Sequence, residues 1–411
     1  YWDTDAGHDT DTYTTMTTVV QYIGANTLYM EDVTNPLYPS FTYAEYQDLD
    51  ATFGGTTLPT LENYIGSLID VNYLGMDDHG RVAVVISKEV NDVALGYVLS
   101  FDVKSQATYA ASNQAEIFYG MAPDPSGIYG TAMSKSYVLS KYPGLMAHEV
   151  THILHNTLDT WGGGATLESW EKEGVATMME WVVGNAVLGH GGSGQNIGAT
   201  DYVEGYNANW YQDLWDDGGF YFGNGSSSAV APHECSWLSS VSTSCEDSRA
   251  LYRSSILFRF ILDKYGPSYS GGEAALMRAL SNSSSTGYAN LVNTTGASSI
   301  GYLLTLWGLN LYSDGRTGVV QNGNTSAMTY WDYDRIFRSV SAGSKNSTNM
   351  RLTPSATSLA GASATFNVRA GSTHYTEWSP ATTHAPTSWK HTSSGGGTLP
   401  STVGMWIFRI Q

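Results

Sequence analysis

Apolar residues recur every three or four positions over residues 15–32 and 59–76, and this spacing predicts two helices. Runs of β-forming residues follow. Arg81–Lys88 (RVAVVISK) is β-branched and reads as a buried strand, and Gly96–Val103 and Ala115–Gly120 read as further strands. A mostly β layer is therefore expected ahead of residue 130. Helical spacing returns in Tyr142–Leu158, where Pro143 suits a helix N-terminus, and again over Leu167–Val183 after a turn at Gly162–Gly164. Residues 184–247 are rich in Gly and aromatic residues with turn signals throughout, and a connection of that length points to lids or function. Leu251–Tyr265 (LYRSSILFRFILDKY) has the pattern of an amphipathic helix stopped by Gly266-Pro267, and more helices are predicted near 272–281, 300–312 and 328–340. Beyond residue 350 Pro, Ser, Thr and Gly dominate. Short alternating segments at Ala364–Ala370 and Gly404–Ile410 predict a small β module there.

These elements describe an α+β chain. At 411 residues it is too long for one simple core. The expected organisation is an N-terminal α/β subdomain over 1–160, a mainly helical subdomain over 161–349 and a β module over 350–411, with the functional cleft between the first two.

Composition narrows the function. Charged residues make up only 14%, with Ser, Thr, Asn and Gly in their place, which fits a polar but weakly charged surface of a secreted, extracellular protein. A net charge of −19 would repel phosphate backbones, so nucleic acid is not an expected partner. No apolar run reaches the roughly 18 residues of a membrane span. With Tyr at position 1 and no signal peptide, the chain reads as a mature or trimmed form. Cys235 and Cys245 would close a local disulfide in an oxidising compartment.

The sharpest chemical signal is His148-Glu149-Val150-Thr151-His152. On a helix, residues four apart share a face, so His148 and His152 can grip one ion, and Glu149 is placed to reach water on that ion. Zinc suits two neutral imidazoles and one carboxylate with a position left open. Leu158 and His155 exclude the longer three-histidine motif of the metzincins. Glu173, in Trp170-Glu-Lys-Glu-Gly-Val-Ala176, is the candidate third ligand, because Gly174 and Ala176 are small enough to let its helix approach the first. Glu168, Glu171, Glu180 and Asp159 are alternatives. His155 reads as a buried, hydrogen-bonded histidine, and Thr177 as packing or support for a ligand. The N-terminal Asp3, Asp5, Asp9 and Asp11 are candidates for a structural calcium ion, without the loop pattern of an EF-hand.

His-Glu-x-x-His followed by a helix with Glu-Gly-x-Ala resembles the gluzincins, the clan of thermolysin and the zinc aminopeptidases. Ser112-Asn-Gln-Ala-Glu-Ile-Phe-Tyr119 ahead of the first helix, with Tyr252, Phe258-Arg-Phe260 and Asp263-Lys-Tyr-Gly266 after it, is similar to the hyicolysin family within that clan. Lys172 departs from the pattern, standing where Asn is common. The resemblance implies a thermolysin-like zincin fold and one catalytic zinc ion held by His148, His152 and Glu173. It also implies Glu149 as general base turned acid, and Tyr252 as second donor to the developing oxyanion, with His233, Tyr206 and Tyr221 as alternatives. It implies further that Glu116–Gly120 is an edge strand along which a peptide substrate lies.

The expected function is therefore zinc-dependent endopeptidase action of a monomer on protein or peptide substrates. A zinc aminopeptidase is the rival within enzymes, although its Gly-x-Met-Glu-Asn signature is absent. A non-catalytic module binding glycans or host surfaces is the rival outside them, given Trp210, Tyr211, Trp215 and Tyr221.

Overall fold

The computed structural model describes residues 15–67, 80–187 and 248–313, together with 325, 327–330 and two short strands at 355–356 and 376–377. Side chains are described from Ser254 onward in the helix that begins at Ser248. The fold is mixed α+β, with an N-terminal sheet followed by helices. The described residues divide into two compact units, one holding those up to 187 and 265–290, the other holding 248–264 and those from 291 on.

In the first unit, strands β1 (Thr18–Ile23), β2 (Thr27–Asp32), β3 (Val82–Ser87), β4 (Gly96–Tyr97) and β5 (Ile117–Met121) form one sheet in the order β1-β2-β3-β5-β4. The two central pairings are parallel and the two outer ones antiparallel. The β1–β2 hairpin corrects the helix expected over 15–32. Its turn is held by Asp50, whose carboxylate accepts from the backbone of Ala25, Asn26 and Thr27 and from the Thr27 hydroxyl at 2.7–3.1 Å. Gly24 allows this approach, since a Cβ there would lie 2.3 Å from the Asp50 carboxylate carbon. β-Branched Thr18, Val19, Val20 and Ile23 then favour the pleated form over a helix.

β3 is buried along its whole length, as its unbroken apolar run predicts. Ala83, Val85 and Ile117 form a core cluster with Met16, Met30, Ala115 and Tyr119. Phe118, Tyr142, Phe41, Tyr46 and Tyr29 make a chain of edge-to-face and tilted aromatic contacts with ring centres 5.0–5.7 Å apart. β5 is not the free edge expected for Glu116–Gly120. β4 pairs outside it, Gly96 against Gly120 and Tyr97 against Tyr119, and the expected strand over Gly96–Val103 shrinks to these two residues. Gly120 is required where the Tyr142 hydroxyl donates to Met121 O at 2.9 Å, because a Cβ would meet that hydroxyl at 2.4 Å.

Helices α1 (Tyr43–Thr52) and α2 (Leu58–Tyr64) are joined by a π-helical turn at Phe53–Thr57. Helix α3 spans Lys135–Thr157, so it starts eight residues before Pro143 and carries that proline in its interior. Ser134 decides the start, accepting the Tyr137 N–H at 3.2 Å as N-cap. Helix α4 (Ser169–Val187) returns against α3. A 3₁₀ turn at Gly266–Ser268 leads to α6 (Gly272–Ser281), which packs on α2 and hydrogen-bonds to it through Glu273–Tyr64 and Arg278–Asn63.

The second unit contains most of α5 (Ser248–Tyr265) and α8 (Ile300–Ser313), with α7 (Gly287–Thr295) running across the division between units. The expected amphipathic pattern of α5 gives way to burial of every residue from Ser254 to Asp263. An ion pair lies within this buried stretch. Arg259 donates to Asp263 at 2.8 and 3.1 Å and lies 4.4 Å from the ring centre of Tyr330, while Asp263 accepts the N–H groups of Thr329 and Tyr330. Of the helix expected near 328–340, residues 328–330 are not helical and the rest lies outside the described residues. Strands β6 (Ser355–Ala356) and β7 (Thr376–Glu377) pair in parallel. Ala364–Ala370 and Gly404–Ile410 lie outside the described residues, as do Cys235, Cys245 and the four N-terminal aspartates proposed for calcium. No described helix is long and apolar enough to cross a membrane.

Candidate metal centre

The site is built on two helices of the first unit. The four-residue spacing puts His148 and His152 one turn apart on the buried face of α3, and Glu173 comes from the second turn of α4. Nε2 of His148 lies 3.2 Å from Nε2 of His152. Glu173 reaches both rings, Oε2 lying 3.5 Å from His148 Nε2 and Oε1 lying 3.6 Å from His152 Nε2. The α3–α4 contact is close at this level, where Gly174 and Ala176 are buried.

These separations fit a metal ion. Tetrahedral zinc with nitrogen and oxygen ligands at about 2.0–2.2 Å has ligand atoms about 3.3–3.5 Å apart. The three measured separations cluster around that range. Glu173 Oε2 is buried and has no hydrogen-bond partner among the described residues, and a bound cation would satisfy it. Two imidazoles and a carboxylate are also the donor set that zinc prefers. His148, His152 and Glu173 are the one group of this kind among the described residues.

The electrostatics agree. Burial disfavours a charged His148, but the carboxylates of Glu173 and Glu180 outweigh it and raise its pKa to about 10. Burial likewise disfavours an ionised Glu173, and His152 and His148 outweigh it and lower its pKa to about 2. The surrounding carboxylates thus favour positive charge at His148. Glu149, one residue after His148, is almost fully buried. That burial raises its carboxyl pKa above the usual range, against the pull of His148 and His152, and makes it a stronger base than a solvated glutamate.

The alternative ligands are engaged elsewhere. Glu168 accepts the Trp170 indole N–H at 2.6 Å. Glu171 accepts from Glu168 N, Gly287 N and Asn290 Nδ2 at 2.7–3.1 Å, tying the start of α4 to the start of α7. Asp159 pairs with Lys172 at 3.1 Å. Glu180 lies beside the other nitrogen of His148, its Oε2 3.6 Å from Nδ1. The spacing of seven from Glu173, two helical turns, is the sequence signal that puts both carboxylates on one face of α4. Tyr252 belongs to α5, but its side chain lies outside the described residues, as do His233, Tyr206 and Tyr221.

His155 is buried as expected. Its Nε2 lies 3.4 Å from the Ser281 hydroxyl, and burial holds its pKa well below the ordinary value near 6.5. The folded protein therefore keeps His155 neutral where the unfolded chain would take up a proton. Its contribution to stability is complete above pH 6.5 and is lost as pH falls below it. Thermal melts of the metal-free protein between pH 7.5 and 5 are expected to fall more steeply for the wild type than for His155→Gln, and parallel curves would refute the assignment.

No protein-family model matches the chain, and no curated protein matches it. Among solved structures it is similar to a mutant M1 zinc metallopeptidase from Deinococcus radiodurans, at 13% identity and a TM-score of 0.35, over 71% of this chain and 51% of that one. It is also similar to native yeast LTA4 hydrolase, at 12% identity and a TM-score of 0.35, over 67% of this chain and 35% of that one. The chain thus spans less than two thirds of either protein. At such TM-scores the likeness carries no argument about fold family or activity, and the functional reading rests on the site itself.

Proposed function

We propose that the chain is a secreted zinc endopeptidase of the gluzincin type, with a thermolysin-like arrangement and sequence motifs nearest the hyicolysin family. The observation that carries this reading is the His148, His152 and Glu173 trio at 3.2–3.6 Å with Glu149 buried next to it. A zinc ion held by the trio would supply Lewis acidity to a peptide carbonyl and to a water beside it. Glu149 then takes a proton from the water on its carboxylate and delivers it to the departing amine nitrogen. Tyr252 is the proposed hydroxyl donor to the carbonyl oxygen as charge builds there. A peptide adding to the sheet would meet β4, the outermost strand on the β5 side.

The test is hydrolysis of denatured casein and of a peptide blocked at its N-terminus, with zinc content fixed by elemental analysis. Activity should disappear on chelation and return with one equivalent of zinc. Cleavage of the blocked peptide supports the endopeptidase assignment. Cleavage of free N-termini alone would replace it with an aminopeptidase, and no hydrolysis of either substrate at full zinc occupancy would overturn the reading.

A further inference from the structure

Two contacts give the direction in which α3 crosses the sheet. Tyr142 reaches Met121 at the end of β5. Trp161, in the π-helical turn Leu158–Gly162 that follows α3, donates its indole Nε1–H to Val103 O at 2.9 Å. Val103 adjoins Asp102, whose carbonyl accepts the Ala115 N–H just ahead of β5. The helix therefore runs antiparallel to β5, and His148 and His152 lie on the stretch between the two contacts. The chain that leaves β4, residues 98–103, heads for the same end, because β4 is antiparallel to β5. That segment is pinned on two sides. Asp102 fixes it to β5, its carboxylate accepting the Tyr119 hydroxyl at 2.8 Å and the Asn113 N–H and Nδ2–H at 2.9 and 3.0 Å. The Tyr119 ring in turn stacks on Tyr97 of β4 with centres 5.1 Å apart. Trp161 fixes the next residue, Val103, to the end of α3. The turn carrying Trp161 is also joined to α4, since Asp159 pairs with Lys172, the residue before Glu173, at 3.1 Å.

We propose that Trp161 is a positioning residue that holds the segment after β4 at a fixed distance from the ligands on α3, so that a peptide added along β4 arrives in register with the metal. This rests on the endopeptidase reading above. A substrate that pairs with a sheet edge takes its place from the backbone of the outer strand, and β4 is outermost on this side. What moves that backbone relative to α3 therefore moves the substrate relative to His148 and His152. Trp161 is 38% exposed while Val103 is buried, so the indole gives up part of its apolar burial and directs its one donor inward to a main-chain carbonyl. Packing alone does not call for that orientation, whereas a tether between the helix turn and the strand segment does.

The test compares the wild type with Trp161→Phe, which keeps an aromatic ring and removes the donor. Hydrolysis is measured at matched zinc content on a blocked octapeptide, long enough to pair along a strand, and on a blocked dipeptide amide, too short to do so. Amide hydrogen exchange over 98–104 and the melting temperature are followed alongside. The variant's kcat/KM for the octapeptide should fall by about 3–10-fold, the effect of one neutral hydrogen bond, with the dipeptide amide unaffected and exchange over 98–104 faster. Octapeptide hydrolysis within twofold of wild type, or unchanged exchange, would overturn the role. Equal losses on both substrates that track a fall in melting temperature would also overturn it, marking Trp161 as a packing residue. If the wild type cleaves the octapeptide alone, the octapeptide loss with faster local exchange at an unchanged melting temperature supports the role. A wild type that cleaves neither substrate at full zinc occupancy would remove the endopeptidase reading itself, a result distinct from an active wild type with an unaffected variant.

Discussion

Glu149→Gln is expected to lower casein hydrolysis by about 10²–10⁴-fold, the usual contribution of a positioned acid–base group, while zinc content stays at that of the wild type. Gln keeps the size of the side chain, and Glu149 is outside the His148, His152 and Glu173 ligand set, so the variant removes proton transfer without dismantling the metal centre. What it loses is a base made stronger by its environment, since burial raises the Glu149 pKa. Activity assays at matched zinc occupancy check this. A variant as active as the wild type would place the base on another residue, and one that has lost its zinc would show that Glu149 helps to hold the metal.

Asp263→Ala is expected to destabilise the protein by about 3–5 kcal/mol, as breaking a buried ion pair does. Both partners are fully buried, so the substitution leaves the Arg259 guanidinium in the interior without this counter-charge and removes the acceptor used by the Thr329 and Tyr330 amides. Replacing both partners with apolar residues, Arg259→Met with Asp263→Leu, should cost less than the single change, because no charge is stranded. Urea denaturation of the single and double variants measures the difference. A loss below about 1 kcal/mol for Asp263→Ala would mean that solvent reaches the guanidinium.

The sequence alone determined the parts of this protein whose physics is local. His148 and His152 share a face because four residues make about one helical turn, and that geometry holds wherever the helix packs. The β3 run reads as buried because an unbroken β-branched apolar stretch suits a strand covered on both faces. Glu173 emerged as the third ligand because small neighbours on a second helix permit close approach, although four other carboxylates remained open until the fold paired Asp159 with Lys172 and turned Glu171 toward Gly287. The tertiary structure decided the rest. Residues 15–32 carry helical spacing but become a hairpin, since Asp50 from α1 holds its turn and β3 offers a parallel neighbour. Pro143 lies inside α3 because Ser134 caps the helix earlier and burial of the long helix offsets the lost backbone hydrogen bond. The polar face of α5 is buried because Arg259 and Asp263 pair with each other and the Tyr330 ring lies over the guanidinium. Glu180 faces His148 because α4 packs on α3 in one register. Periodicity tells which side of an element avoids water, but the neighbour that covers that side, and so the charge or hydrogen bond waiting there, is set by contacts between residues far apart in the chain.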